Sequence, residues 1–208
     1  MAASFDREQL LAALDEVGRA AIEAKTRLDI AVYGGSALML ASNFRFATED
    51  LDVAEIEKPW PQWLTAVVEK LALQNGWSET WLNDAVTVHL SSLAQPERDL
   101  VPFGTFPRKS GETGLTISVP TARYMLALKL KAFRIAEAKG AGDLTDVTNL
   151  LAVLGITEIE PAIEILAEFF PKSGSDADKQ RFVLKRILST KAATDAPCYP
   201  RRGDQEDH

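Results

Sequence analysis

Apolar residues recur with a helical period from about Phe5 to Lys25, where Leu10, Leu11, Leu14, Val17 and Ala21 share one stripe. Ser4, followed three residues later by Arg7 and then Glu8, stands where an N-cap would begin that helix. The next segment, LDIAVYGG, is a short apolar run closed by two glycines, and reads as a buried strand entering a sharp turn. SALMLAS is a short helix, NFRFATED a polar connection, and LDVAEI a second strand. Pro59 and Pro61 open a further helix, QWLTAVVEKLALQNG, which Gly76 closes as a C-cap.

AVTVHLSS alternates like a third strand. Gln95 to Gly114, rich in Pro, Gly and charge, reads as a loop or long hairpin connection, and GLTISVP as a fourth strand. Beyond Pro120 the period becomes helical, in TARYMLALKLKAFRIAEAK, DLTDVTNLLAVLG, IEPAIEILAEFF and DADKQRFVLKRILS. The pattern thus predicts an α+β chain. A small mixed sheet with helices spans residues 1–120, a helical lobe spans 121–194, and an aperiodic tail, expected to be mobile, covers 195–208. No internal repeat is visible.

Composition narrows the function classes. The 208 residues are 46% hydrophobic and 25% charged, enough for a real core in one domain or a domain with an added lobe. A net charge of -7 argues against broad coating of nucleic acid, though not against a local basic cleft. The single cysteine, Cys198, excludes a disulfide framework or a cysteine-built zinc site, and the two histidines, His89 and His208, lie far apart. No apolar run reaches the roughly 18–20 residues that span a bilayer, so a cytoplasmic protein without a membrane partner is expected.

The chemistry gathers in VYGGSALMLASNFRFATEDLDVAEI. Alternation along the second strand puts Asp50 and Asp52 on one face while Leu51 and Val53 turn into the core. Two carboxylates that close repel each other unless a cation lies between them, and hard oxygen ligands suit Mg²⁺ (or Mn²⁺). Upstream, Gly34, Gly35 and Ser36 occupy a strand-to-helix turn, where backbone N–H groups favour an anion and glycine lets a phosphate approach. Either feature alone also has a plain structural reading, as a strand end or a tight turn.

Together, in this order, they resemble the signature of the DNA polymerase β-like nucleotidyltransferase superfamily: a glycine-rich turn, a short helix, then Asp-x-Asp on the following strand. Thirteen residues separate Ser36 from Asp50, at the long end of that pattern. VPTARYMLALKLKAFR followed by GDLTDVTNLL, with WLNDAVTVHL before it, is similar to the AbiEii/MenT-like and DUF6036 types, over roughly residues 28–170. By position, Lys129 matches the family lysine, Asp143 the first downstream aspartate and Asp146 the second.

The resemblance implies a Mg²⁺-dependent enzyme moving an NMP from an NTP to a hydroxyl. That hydroxyl would belong to RNA such as a tRNA 3′ end, or to a protein, and the resemblance extends to toxins of toxin–antitoxin systems, which implies a cognate antitoxin as partner. It implies catalytic roles for Asp50, Asp52, Lys129 and Asp143, with Asp50 and Asp52 as metal ligands and Gly34, Gly35, Ser36 and Lys129 binding the nucleotide. Two departures stand out. Relatives often place Arg or Lys where this chain has Gly142, and the third carboxylate has no clear match, with Asp84, Asp99 and Asp143 as candidates. The alternative implied is a catalytically impaired protein of the same fold, acting as a binding or regulatory module.

On the predicted helix, Lys129 and Lys131 diverge by about 200°. Lys129 shares a largely apolar stripe with Met125 and Ala132, so its amine should emerge at a packed edge. Asp143 and Asp146, near a helix start, would also offset the helix dipole without any catalytic part. Arg134 is a further phosphate or structural candidate. Trp60, Trp63, Trp77 and Trp81 are read as core packing rather than base-stacking surfaces.

Overall fold

The structure, a computed structural model, describes residues 3–54, 56–133, 140–189 and 198–200. A short strand β1 (Phe5–Asp6) leads into α1 (Arg7–Glu23). The cap of α1 is Asp6, not Ser4. Its carboxylate accepts from the Gln9 N–H at 2.8 Å while the Gln9 side chain accepts from the Asp6 N–H at 2.9 Å. The residues of the expected stripe are all buried, against α3 (Gln62–Asn75) and the sheet.

Strand β2 (Leu28–Val32) runs into α2 (Gly34–Ala41), followed by β3 (Ala47–Thr48), which pairs with β1, and β4 (Leu51–Ala54). Gly76 caps α3 at φ +68. The segment expected as a third strand differs. Only Leu82–Asn83 (β5) pairs with β4, and Ala85–His89 forms a 3₁₀ turn. The Asn83 side-chain carbonyl accepts the Ala85 N–H at 3.0 Å and bends the chain off the sheet.

The stretch expected as a loop or hairpin connection holds the short helix α4 (Pro96–Asp99) and an edge strand β6 (Leu100–Phe106) paired antiparallel with β7 (Leu115–Pro120). Pro102 and Gly104 flank an irregularity in that pairing, a break that an edge strand tolerates.

The main sheet has the order β5-β4-β2-β7-β6. β2 is parallel to β7 and antiparallel to β4. The ends of β2 and β7 and the beginning of β4 therefore meet at one end of the sheet's central strands. That end brings Gly34, Thr121 and Asp52 to the same side of the sheet. Beyond β7 the chain is helical: α5 (Ala122–Ala132), α6 (Gly140–Val153), α7 (Ile159–Phe169), α8 (Pro171–Ser175) and α9 (Asp178–Ser189). α5 packs on both α6 and α7, and α7 on α8 and α9. The protein is thus α+β, with a small mixed sheet and a helical second half. No helix among the described residues is long and apolar enough to cross a membrane.

Candidate functional site

The glycine turn meets the strand carboxylate directly. Tyr33 is extended and donates its N–H to the Asp52 carbonyl at 2.9 Å, so the end of β2 lies beside the start of β4. Gly34 then takes φ +65, a conformation that favours glycine. A Cβ on Gly34 would also stand 2.7 Å from Asp52 Oδ2, so the missing side chain lets that carboxylate reach the first turn of α2. Helix N-termini carry partial positive charge and unpaired N–H groups, which suits an anionic group there.

Ser36 turns the other way. It is 1% exposed, and its hydroxyl donates to the Tyr33 carbonyl at 2.9 Å. In this arrangement it stabilises the turn and offers nothing outward.

Leu51 and Val53 are buried, as strand alternation predicts. Asp50 sits one residue ahead of β4 and is exposed, with the Thr48 hydroxyl 3.2 Å from its Oδ1. Asp52 is half-buried. Burial, and next the charge of Asp50, push its carboxyl above the usual aspartate range, against the opposing pull of the Asn83 side chain and the Lys129 charge. This pair is short of positive charge.

Around Lys129 the opposite holds. Lys129, on α5, is 11% exposed and places Nζ 2.7 Å from Asp146 Oδ2 and 3.1 Å from Asp143 Oδ1, both on α6. Arg45, in the connection between α2 and β3, makes a fork on the same Asp146, with Nη2 at 2.6 Å and Nε at 3.1 Å from Oδ2 and 3.2 Å from Oδ1. Its Nη2 also lies 3.7 Å from Asp143 Oδ1. Asp146 is 1% exposed, so two cations share one buried carboxylate. The hydrogen bond to Asp146 holds the Arg45 guanidinium above its ordinary pKa, with the charges of Asp146, Asp143 and Asp50 adding to it.

The guanidinium is fitted between two glycines. A Cβ on Gly35 would stand 3.2 Å from Arg45 Nη1, and one on Gly142 would stand 3.3 Å from Nη2. Where the sequence pattern of the resembled families often carries a basic residue before the first downstream aspartate, Gly142 instead leaves room for a cation from the other half of the chain. Sequence reasoning missed Arg45 entirely. The signal available was a lone basic residue in the connection between the glycine turn and the paired acids.

The structure therefore joins Gly34 with Asp52, and Lys129 with Asp143 and Asp146, and links the two groups electrostatically through Asp52–Lys129 and Arg45–Asp50. Lys131 faces elsewhere, as its offset from Lys129 requires. Its amine donates to the His89 carbonyl at 3.2 Å and lies 4.0 Å from the Phe170 ring centroid.

The alternative carboxylates are engaged otherwise. Asp84 lies 2.8 Å from Lys58 Nζ, which holds it below the usual range. Asp99 accepts the Gln95 N–H at 2.7 Å and the Arg98 guanidinium at 2.9 and 2.8 Å, closing α4 onto β6. His89 is exposed. Arg134 lies outside the described residues. Trp77 and Trp81 are buried beside Phe5, and Trp60 and Trp63 pack partly against the core.

No group of three or more His, Cys, Asp or Glu among the described residues converges into a metal cage. Asp50 and Asp52 are a two-carboxylate set. That suits Mg²⁺, which typically takes one or two carboxylates and completes its shell with water and phosphate oxygens. The uncompensated charge at Asp52 is what such an ion would relieve. Compared with models of known protein families, with curated proteins and with solved structures, the chain finds no match in any of the three.

Proposed function

We propose that the protein is a Mg²⁺-dependent nucleotidyltransferase that moves an NMP from an NTP to an acceptor hydroxyl. The observation that carries this reading is the half-buried Asp52, short of positive charge, set against the first turn of α2 through Gly34 with Lys129 within electrostatic reach. Asp50 and Asp52 would hold Mg²⁺. Bound there, the ion supplies charge neutralisation for a triphosphate and lowers the pKa of a coordinated hydroxyl.

The N–H groups at the start of α2 would donate to phosphate oxygens, and Lys129 and Arg45 border the same space with two further cations. The acceptor oxygen forms a bond to the α-phosphorus, the bond from that phosphorus to the bridging β-phosphate oxygen breaks, and pyrophosphate departs with the electron pair. The hydroxyl proton passes to the ionised Asp50 or Asp52. The acceptor favoured by the sequence resemblance is an RNA end such as that of a tRNA, with a protein hydroxyl next, and a cognate antitoxin would be the regulatory partner.

Two features favour the second reading, a catalytically impaired nucleotidyltransferase-fold protein acting as a binding or regulatory module. Lys129 and Arg45 are both already paired with carboxylates, and the Ser36 hydroxyl is spent on the Tyr33 carbonyl. Incubation with each α-labelled NTP, Mg²⁺ and total RNA or lysate separates the two. The enzyme reading expects label on RNA or protein with the wild type and none with Asp52→Ala. Absence of label with every NTP, or equal labelling by Asp52→Ala, rejects it.

A further inference from the structure

Tyr199 belongs to a stretch, DAPCYPRRGDQ, with no apolar period, yet it is only 7% exposed. Its hydroxyl donates to the Pro120 carbonyl at 2.8 Å. Its ring lies against Phe44, with centroids 6.0 Å apart and planes tilted by 30°. The two contacts fall on the two segments that carry the cations meeting on Asp146. Pro120 ends β7 and precedes Thr121, the N-cap of α5, whose side chain accepts the Tyr124 N–H; Lys129 lies on that helix. Phe44 immediately precedes Arg45.

The connection that carries Arg45 has little regular structure of its own. Ser42 donates its hydroxyl to the Leu38 carbonyl, and the Phe44 N–H donates to the Ser42 hydroxyl oxygen at 3.1 Å. Beyond these, the Phe44 ring is held by packing, and Tyr199 supplies an aromatic face from more than 150 positions away in sequence. A backbone segment with few bonds of its own is fixed only as well as the groups packed on it.

We infer that Tyr199 is a positioning residue, a clasp from the C-terminal segment that holds the Arg45 connection against the β7–α5 junction so that Arg45 and Lys129 converge on Asp146. The clasp itself is independent of what the site binds. Its consequence for nucleotide affinity rests on the function proposed above.

The test uses full-length chains carrying Tyr199→Ala, Tyr199→Phe or Tyr199→Leu, read by amide hydrogen exchange and by calorimetric titration of ATP with Mg²⁺. In Tyr199→Ala, exchange of the amides of residues 43–48 should rise about tenfold or more while those of β2 and β7 stay within about threefold of wild type. Tyr199→Phe keeps the ring and should retain protection of 43–48 to within about threefold. Tyr199→Leu keeps volume without the aromatic plane and serves where the alanine variant does not fold.

Exchange at 43–48 unchanged in the folded alanine or leucine variant overturns the clasp. So does a rise spread equally over β2 and β7, since that is only general stability. ATP binding should weaken about tenfold in the variant that loosens the connection. If the wild type binds no nucleotide, the exchange data still decide the clasp, and the proposed function fails separately.

Discussion

Two charged clusters sit side by side at the end of β2, and they are built on opposite principles. Around Asp146, two cations and two carboxylates neutralise one another, with the central acid buried and forked by Arg45. At Asp50 and Asp52, two carboxylates lie within electrostatic reach of each other with no ion pair of their own among the described residues, and burial with the charge of Asp50 pushes Asp52 toward its protonated form. The first arrangement is complete and joins segments far apart in sequence: the connection after α2, α5 and α6. The second has no ion pair of its own among the described residues, and in the function proposed above one divalent cation would complete it. Balanced charge of the first kind ties segments together, whereas the charge of the second kind is what a bound cation would offset.

The comparison breaks most visibly at its balanced half. Asp146→Ala leaves Arg45 and Lys129 only the partly exposed Asp143, and removing the buried partner of such a cluster is expected to lower unfolding free energy by up to about 3–5 kcal/mol. At this chain length each kcal/mol corresponds to about 2–4 °C in Tm. Denaturant and thermal unfolding check it, and a loss within about 0.5 kcal/mol, as for an ordinary surface residue, would mean that the cluster is not a strut.

The unbalanced half should respond with the opposite sign. Asp52→Asn removes a repelled charge and is expected to raise stability at neutral pH by about 0.5–2 kcal/mol, the range common for relieving such local conflicts. The pH dependence follows from the direction of the shift. A carboxyl whose folded pKa lies above its ordinary value of 3.8 makes the folded state hold its proton more tightly, so ionising it on raising the pH lowers stability. The advantage of Asp52→Asn is therefore full above the folded-state pKa, shrinks on acidification and disappears below the ordinary value. Unfolding midpoints of both proteins across that range test the sign.

Ser36 gives the smallest effect and sharpens the boundary between the clusters. Because its hydroxyl is buried on the Tyr33 carbonyl, Ser36→Ala should lower stability by about 0.5–1.5 kcal/mol. It should leave Mg²⁺–nucleotide affinity within about threefold of wild type. A tenfold loss of affinity at unchanged stability would show that the serine turns outward on binding.

Much of the fold was legible because local pattern and tertiary outcome agree. The α1 stripe, the glycine-capped α3 and the glycine-ended β2 all stand where periodicity puts them. Disagreement came where a single local bond outweighed the pattern. Val86, Thr87 and Val88 alternate with their neighbours like a strand, but the Asn83 side chain captures the Ala85 N–H and turns the chain into a 3₁₀ helix. In β6, Pro102 and Gly104 suppress a strand signal that the edge position still permits.

At the site, the part given to Lys129 came from the family resemblance, while the turn and the paired acids could be read from spacing, since each belongs to a local motif. Arg45 could not. Its role depends on Asp146, 101 positions away, and on the absence of a side chain at both Gly35 and Gly142. Asp146, for its part, had a sufficient local explanation in the helix dipole, which concealed its place at the centre of the network. Tyr199 was hidden in the same way, by a tail composition that predicts mobility and says nothing about a slot beside Phe44.

The most direct test of the central claim, that the unbalanced acids await a metal–nucleotide, is calorimetric titration of wild type and Asp52→Ala with each NTP, with and without Mg²⁺. At least one NTP is expected to bind the wild type only when Mg²⁺ is present, and to bind Asp52→Ala about 100-fold more weakly or not at all. Wild type that binds no NTP in a Mg²⁺-dependent manner, or Asp52→Ala that binds as tightly as wild type, would contradict the account.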